Sequence, residues 1–322
     1  NMPMECDNVG RESQDLAAIL YTSGTTGLSK GAMLSHDNLL SNALTLVDYW
    51  RFDSQDVLLH ALPIFHTHGL FVATNVILIT GASMIFLPRF DLDQMIEQLP
   101  YANTLMGVPT FYTRLLADDR FDRDLVSHMR LFVSGSAPML AETHLQFEER
   151  TGQRILERYG MTETNMNTSN PYDGERRVGS VGFPLPGVEI RISDPQTGDE
   201  LPLGETGMIE VRGPNVFLGY WRKPEKTALE LRSNGFFISG DLGKVDAQGY
   251  VHILGREKDL VISGGYNIYP KQIETEIDAL DGVLESAVFG IADADLGEAV
   301  AAAVVPVDGV KLDPEQLVKA LE

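Results

Sequence analysis

Up to about residue 175, short apolar runs alternate with amphipathic ones, and each apolar run ends in a loop of Gly, Ser, Thr or Pro. Few folds accept that rhythm, because it is the pattern of a parallel β-sheet covered by helices. Strands are predicted at residues 16–21, 57–62, 83–87, 104–108, 131–133 and 155–158, with Pro109 suited to the first turn of the helix after the fourth of them. Ser35 reads as the N-cap of a helix turning Leu39, Leu40, Ala43, Leu44 and Val47 inward. In such a sheet the chemistry gathers at the C-terminal ends of the strands.

From about Val178 to Gly255 the pattern changes to short strands between Gly and Pro turns, such as residues 189–192 and 208–212, which suits a small barrel or β-rich subdomain. After Asp259 come a strand, a Gly264-Gly265 turn, a helix opening at Pro270, two strands around Ala287 and Ala301, and a helix from about Pro314. The expected fold is α/β: a parallel-sheet subdomain with helices on both faces over residues 1–177, a barrel-like subdomain over 178–257, and an incomplete α+β domain over 258–322. The chain carries no internal repeat.

Charge narrows the partners. The 322 residues carry a formal charge of -21 and no Lys/Arg run, which argues against nucleic acid, since phosphate neutralisation needs a basic face. A polyanionic ligand must therefore be held by a few placed cations. The single cysteine, Cys6, can form no internal disulfide, so a reducing compartment and the cytoplasm are expected. The uncharged stretch from Leu70 to Leu87 contains Thr74, Asn75, Thr80, Gly81 and Ser83, so a buried helix, a turn at Gly81 and a buried strand are expected there instead of a membrane span. Position 1 is Asn and no signal-peptide pattern follows, so a start partway into a longer protein is expected. The sequence is silent on oligomeric state.

The segment Tyr21-Thr22-Ser23-Gly24-Thr25-Thr26-Gly27-Leu28-Ser29-Lys30-Gly31 reads as a loop between a strand and a helix, rich in hydroxyls and glycine and holding one lysine. Backbone N–H groups, hydroxyls and an ammonium together suit phosphate oxygens, although the spacing is not that of a Walker A loop. Four more segments follow: Leu62-Pro63-Ile64-Phe65-His66, Tyr159-Gly160-Met161-Thr162-Glu163, Ser239-Gly240-Asp241, and Gly255-Arg256-Glu257-Lys258-Asp259 with Ser263-Gly264-Gly265. Together, in this order, they resemble the signatures of the adenylate-forming superfamily of acyl-CoA synthetases, luciferases and peptide-synthetase adenylation domains. That superfamily usually has proline where this chain has Ser29.

The resemblance implies ATP, Mg2+ and coenzyme A as ligands. Thr22, Ser23, Gly24, Thr25, Thr26, Gly27 and Lys30 would hold phosphate. Glu163 would give a hard metal ion a carboxylate oxygen beside phosphate oxygens, and Thr162 would reach the α-phosphate. Ser136, Ala137 and Pro138, with Arg158, Tyr159 and Gly160, would border the adenine. Asp241, expected in a Gly-flanked turn, would accept from two ribose hydroxyls with Arg256 beside it. Lys258 would be the hinge before a mobile C-terminal domain, and Gly264 and Gly265 would let the backbone approach pantetheine. His66 reads as a core or gate histidine.

Within the superfamily, Phe65-His66-Thr67-His68-Gly69, Val108-Pro109-Thr110-Phe111-Tyr112-Thr113-Arg114 and the run from Tyr159 to Asn167 are most similar to malonyl-CoA synthetases. Arg114 is the expected anchor for a second carboxylate, because a guanidinium binds carboxylate bidentately. Thr67, His68, Ser136 and Met161 would complete a small pocket, with Met161 limiting a C2 substituent such as the methyl of methylmalonate. The implied activity is ATP-dependent ligation of malonate to coenzyme A through an acyl-adenylate. The family's N-terminal subdomain and its late Gly-Lys motif are missing from these residues, so this chain alone is expected to be inactive. The alternatives are a ligase for another short or aryl acid, or a nucleotide-binding fragment without turnover.

Overall fold

The computed structural model describes residues 9–22, 29–264, 266–293, 296–307 and 309–321. Its contacts divide the chain into two compact units. The first comprises Asn1–Ile190, Glu210–Ile238 and Gln248–Val251, and the second Arg191–Ile209, Ser239–Ala247 and His252–Glu322.

The first unit is built on a seven-stranded sheet in the spatial order Ser83–Phe86, Val57–His60, Thr104–Gly107, Leu131–Ser134, Leu156–Met161, Asn165–Ser169 and Phe183–Pro184. Its first five strands pair in parallel and the last two antiparallel, so the alternating apolar runs became a parallel sheet as expected. The central strands Thr104–Gly107 and Leu131–Ser134 are buried at every position, which explains their largely apolar character. Phe132, Phe147, Tyr112 and Phe121 form the aromatic part of the core, with Phe147 edge-on to Phe132 at 4.9 Å and to Tyr112 at 5.6 Å.

Three local expectations change. Lys30–Ser35 is a strand paired antiparallel with Leu16–Thr22, so the glycine-rich segment lies between two strands of a hairpin and the helix starts only at His36. Ser35 does cap that helix, in a reciprocal box with Asn38. The buried face of the helix is Asn38, Asn42, Ala43 and Leu46, whereas Leu40 and Leu44 are exposed. Two asparagines can face inward because Asn38 donates to the carbonyls of Pro214 and Val216 and Asn42 to that of Met166. In the uncharged stretch, Gly81 ends the helix Thr74–Thr80 at φ 68°, but Leu78 is exposed on that helix and Phe86 on the strand Ser83–Phe86, which lies at the sheet edge. No helix among the described residues is long and apolar enough to cross a membrane.

The β-rich stretch forms a four-stranded sheet in the order Glu189–Ser193, Gly207–Arg212, Phe237–Val245 and Val251–Arg256. In the second unit, Val283–Asp293 and Gly297–Pro306 form a long antiparallel pair beside Val261–Ser263 and Tyr266–Ile268. The helix Pro270–Asp278 opens on its proline and contributes Ile277 to a small core with Val283 and Val288.

Candidate active site

Arg158 lies on the strand Leu156–Met161 and is 2% exposed, and its Nε and Nη1 have no hydrogen-bond partner among the described residues. Nη2 is 3.5 Å from Ser136 Oγ, which is 3.3 Å from His68 Nδ1, and the buried His68 Nε2 is also unpartnered. Burial pulls the Arg158 pKa down to about 9, so the group keeps its charge at neutral pH. Burial first, and then the Arg158 charge, hold His68 well below the ordinary histidine range, so the imidazole is neutral there. One positive charge is therefore enclosed without an acid among the described residues, a costly arrangement that an incoming carboxylate would complete.

The local backbone is shaped around that guanidinium. A Cβ at Gly135 would lie 2.6 Å from Arg158 Cζ, so glycine is what lets the loop pass over it. The next residue, Ser136, takes φ 69°, which is unfavourable for serine and turns it toward His68. His68 opens a π-helical turn, His68–Ala73, a local widening often found at functional sites. Thr67 is buried and donates to Asn165 Oδ1 at 3.1 Å, with Asn165 itself at φ 49° where the strand Asn165–Ser169 opens.

The structure thus brings Thr67, His68, Ser136 and Arg158 into one polar cluster, with Arg158 inside it where the resemblance implied the adenine border. Met161 is partly buried, its sulfur 3.9 Å from the Tyr159 hydroxyl. Arg114 lies on the exposed side of the helix Pro109–Leu116, with its guanidinium 5.5 Å from the centre of the Phe90 ring. His66 precedes the cluster and is exposed. Ala137 and Pro138 are exposed on the loop after Leu131–Ser134, and Gly160 sits at a register shift where a Cβ would collide with the Asn165 carbonyl.

A second cluster forms at the start of the strand Lys30–Ser35. Lys30 Nζ is 3.1 Å from Tyr220 Oη and 3.5 Å from Glu230 Oε2. Tyr220 reaches it from the two-residue strand Gly219–Tyr220, which pairs with Lys30–Ser35. The phenol oxygen is also 2.9 Å from Glu163 Oε1 and 2.6 Å from Glu230 Oε2. Burial, then the charge of Glu163, pushes the Tyr220 pKa far up, so the phenol stays neutral. Glu163 is 4% exposed, in the turn between Leu156–Met161 and Asn165–Ser169, beside the buried Thr162. Sequence reasoning missed Tyr220 and Glu230, whose only local signal is the Gly-Tyr pair before a short helix.

Glu163 suits a magnesium ion that arrives with phosphate. No group of three His, Cys, Asp or Glu among the described residues could hold a metal alone. Mg2+ commonly takes one or two carboxylates and completes its shell with phosphate and water oxygens, which a single buried carboxylate permits.

In the second unit, Asp241 lies within the strand Phe237–Val245 and not in a free turn, the chain being distorted at Gly240 with φ 75°. Its Oδ1 pairs with Arg256 Nε at 2.7 Å. Lys258 follows in a short exposed 3-10 turn, Glu257–Asp259, and Gly264 has φ 58°. Thr22 ends its strand, whereas Ser23, Gly24, Thr25, Thr26, Gly27 and Gly265 lie outside the described residues.

The family model described as "AMP-binding enzyme" matches residues 3–221, which holds both clusters up to Tyr220. The chain belongs to the AMP-binding enzyme family. Among solved structures, this member of the family is similar to ATP-bound MatB from Rhodopseudomonas palustris, with 65% identity and a TM-score of 0.95, covering 97% of this chain and 62% of that one. It is 38% identical to a malonate–CoA ligase of Arabidopsis thaliana over 94% of this chain and 52% of the relative. The same identity links it to a long-chain-fatty-acid–CoA ligase of Bacillus subtilis, over 94% of this chain and 55% of the relative. The chain spans about half the length of the curated relatives it matches.

Proposed function

We propose that this chain is the larger part of an AMP-forming acid–thiol ligase that joins malonate to coenzyme A. The observation that carries this reading is Arg158. A fatty or aryl acid brings one carboxylate, which is consumed in the reaction, and would leave a buried guanidinium facing an apolar tail. A dicarboxylate such as malonate places its second carboxylate on Arg158, with Ser136 and His68 beside it. The likeness to the malonate–CoA ligase of Arabidopsis thaliana supports the same substrate. Arg114, exposed on its helix, is assigned a lesser role in drawing the dianion in, and Met161 limits the C2 substituent, which leaves methylmalonate as a second substrate.

In the first half-reaction a carboxylate oxygen of malonate attacks the α-phosphorus of ATP, and the bond to pyrophosphate breaks. Lys30 leaves its loose contact with Glu230 for phosphate oxygens, and Thr162 donates to the α-phosphate. Glu163 would hold Mg2+, which supplies neutralisation of phosphate charge. Asp241 and Arg256 are assigned to the ribose hydroxyls, and Lys258 to a hinge between the half-reactions. In the second half-reaction the coenzyme A sulfur attacks the acyl carbon, the bond to AMP breaks and the thiol proton passes to solvent, with Gly264 leaving room for pantetheine.

The test is ATP–pyrophosphate exchange by the full-length protein with malonate, methylmalonate, acetate, succinate and benzoate. Exchange with malonate that is lost in Arg158→Met supports the reading. Equal exchange with acetate or benzoate, unaffected by that change, overturns it.

A further inference from the structure

The cluster around Tyr220 holds fewer protons than its short contacts suggest. Tyr220 Oη lies 2.6 Å from Glu230 Oε2, 2.9 Å from Glu163 Oε1 and 3.1 Å from Lys30 Nζ. An ammonium only donates, so the phenol oxygen accepts from Lys30, and its single proton serves one of two carboxylates. The shorter distance, to Glu230, is in the range of a charge-assisted O–H···O bond. Glu230 is fixed in that role, because its other oxygen, Oε1, pairs with Lys226 one helical turn earlier at 2.6 Å. Both carboxylate oxygens lie within donor reach of the phenol, and giving its one proton to the shorter contact leaves Glu163 Oε1, at 2.9 Å, without it.

We infer that Glu230, acting through Tyr220, is a positioning residue for the nucleotide-borne metal: it draws the phenolic proton to itself and leaves the Glu163 oxygen with an uncapped lone pair. This rests on the assignment of Glu163 to Mg2+ in the ligase reading. Two oxygens in contact without a proton repel, and a cation at Glu163 relieves that repulsion. The same arrangement leaves Lys30 held by the neutral Tyr220, with the hydroxyl at 3.1 Å and the ring centre at 4.4 Å, and by Glu230 at 3.5 Å, a grip weak enough to exchange for phosphate.

Glu230→Gln reverses the proton. Lys226 keeps the amide oxygen on its own side, which puts the amide nitrogen where Oε2 was, facing Tyr220. The amide then donates into the phenol oxygen, and the phenolic proton turns to Glu163, where a metal ion must displace it. The experiment measures binding of β,γ-methylene-ATP to the full-length protein by calorimetry over a magnesium series, so that no turnover is needed. Glu230→Gln is expected to raise the half-saturating magnesium concentration about tenfold. Tyr220→Phe, which has no proton to misdirect, is expected to stay within about twofold of the unaltered protein, and Tyr220→Phe/Glu230→Gln within about twofold of Tyr220→Phe.

An unchanged requirement in Glu230→Gln overturns the inference, and so does a rise that persists in the double variant, because the cause is then the lost charge and not the proton. If Glu230→Gln does not fold, a tenfold rise in Tyr220→Phe alone overturns it equally. Failure of the unaltered protein to bind the analogue at any magnesium concentration overturns the ligase reading. Binding with a magnesium requirement that ignores Glu230→Gln overturns this inference alone.

Discussion

Arg158 and Lys30 are both cations held inside the first unit, and they are housed in opposite ways. Among the described residues Arg158 is buried with two nitrogens unpartnered and no carboxylate in contact, while Lys30 sits loosely between a phenol and an acid. A buried cation without an acid partner is costly to hold alone and so discriminates strongly among ligands. A loosely partnered cation costs little to hold and little to move. On the proposed ligase reading, substrate choice would belong to Arg158 and phosphate binding to Lys30.

Breaking the Arg158 side of that contrast should give the largest effect. Arg158→Met is expected to lower malonate-dependent pyrophosphate exchange about a thousandfold while stabilising the fold by about 2 kcal/mol, since an unpaired buried charge is replaced by an apolar chain. Exchange kinetics and urea unfolding of the same variant check both halves, and a destabilised protein would contradict the account of the empty site. Lys30→Met should reduce exchange about a hundredfold and change stability by less than about 1 kcal/mol, because the Glu230 contact is long.

Smaller changes sharpen the comparison. Gly135→Ala pushes on the Arg158 guanidinium and should raise the KM for malonate about tenfold while leaving that for ATP unchanged. Arg114→Ala, on the exposed helix face, should cost about threefold in malonate kcat/KM, lost as salt is added. The mildest effect is on pH dependence. His68 has a folded pKa below its unfolded value, so at neutral pH both states are unprotonated and nothing is lost. As the pH falls below the ordinary histidine range, the unfolded chain takes up the proton first and stability declines. Subtracting the urea-unfolding stabilities of His68→Asn from those of the unaltered protein should isolate a decline confined to acid pH, and a decline on the alkaline side would refute it.

Much of this was legible locally. The parallel strands, Ser35 as a cap, Pro109 and Pro270 as helix openings and Glu163 beside Thr162 follow from spacing and residue type. Leu40 and Leu44 misled because apolar character normally marks the inner face, and only the carbonyls of Pro214, Val216 and Met166 make Asn38 and Asn42 the buried residues. The strand Lys30–Ser35 went unread because its pairing with Leu16–Thr22 is decided across the loop and not within six residues.

By itself the sequence determined the α/β architecture, the order of the motifs and the kinds of side chain available for phosphate and carboxylate, because periodicity and turn chemistry are properties of neighbouring residues. Tertiary structure decided which of two arginines is buried, and it placed Tyr220 and Glu230 against Lys30 and Glu163. Those contacts join positions 57 to 200 residues apart in the chain. Their energies depend on burial and on who else competes for each proton, and both are set only when the strands have paired.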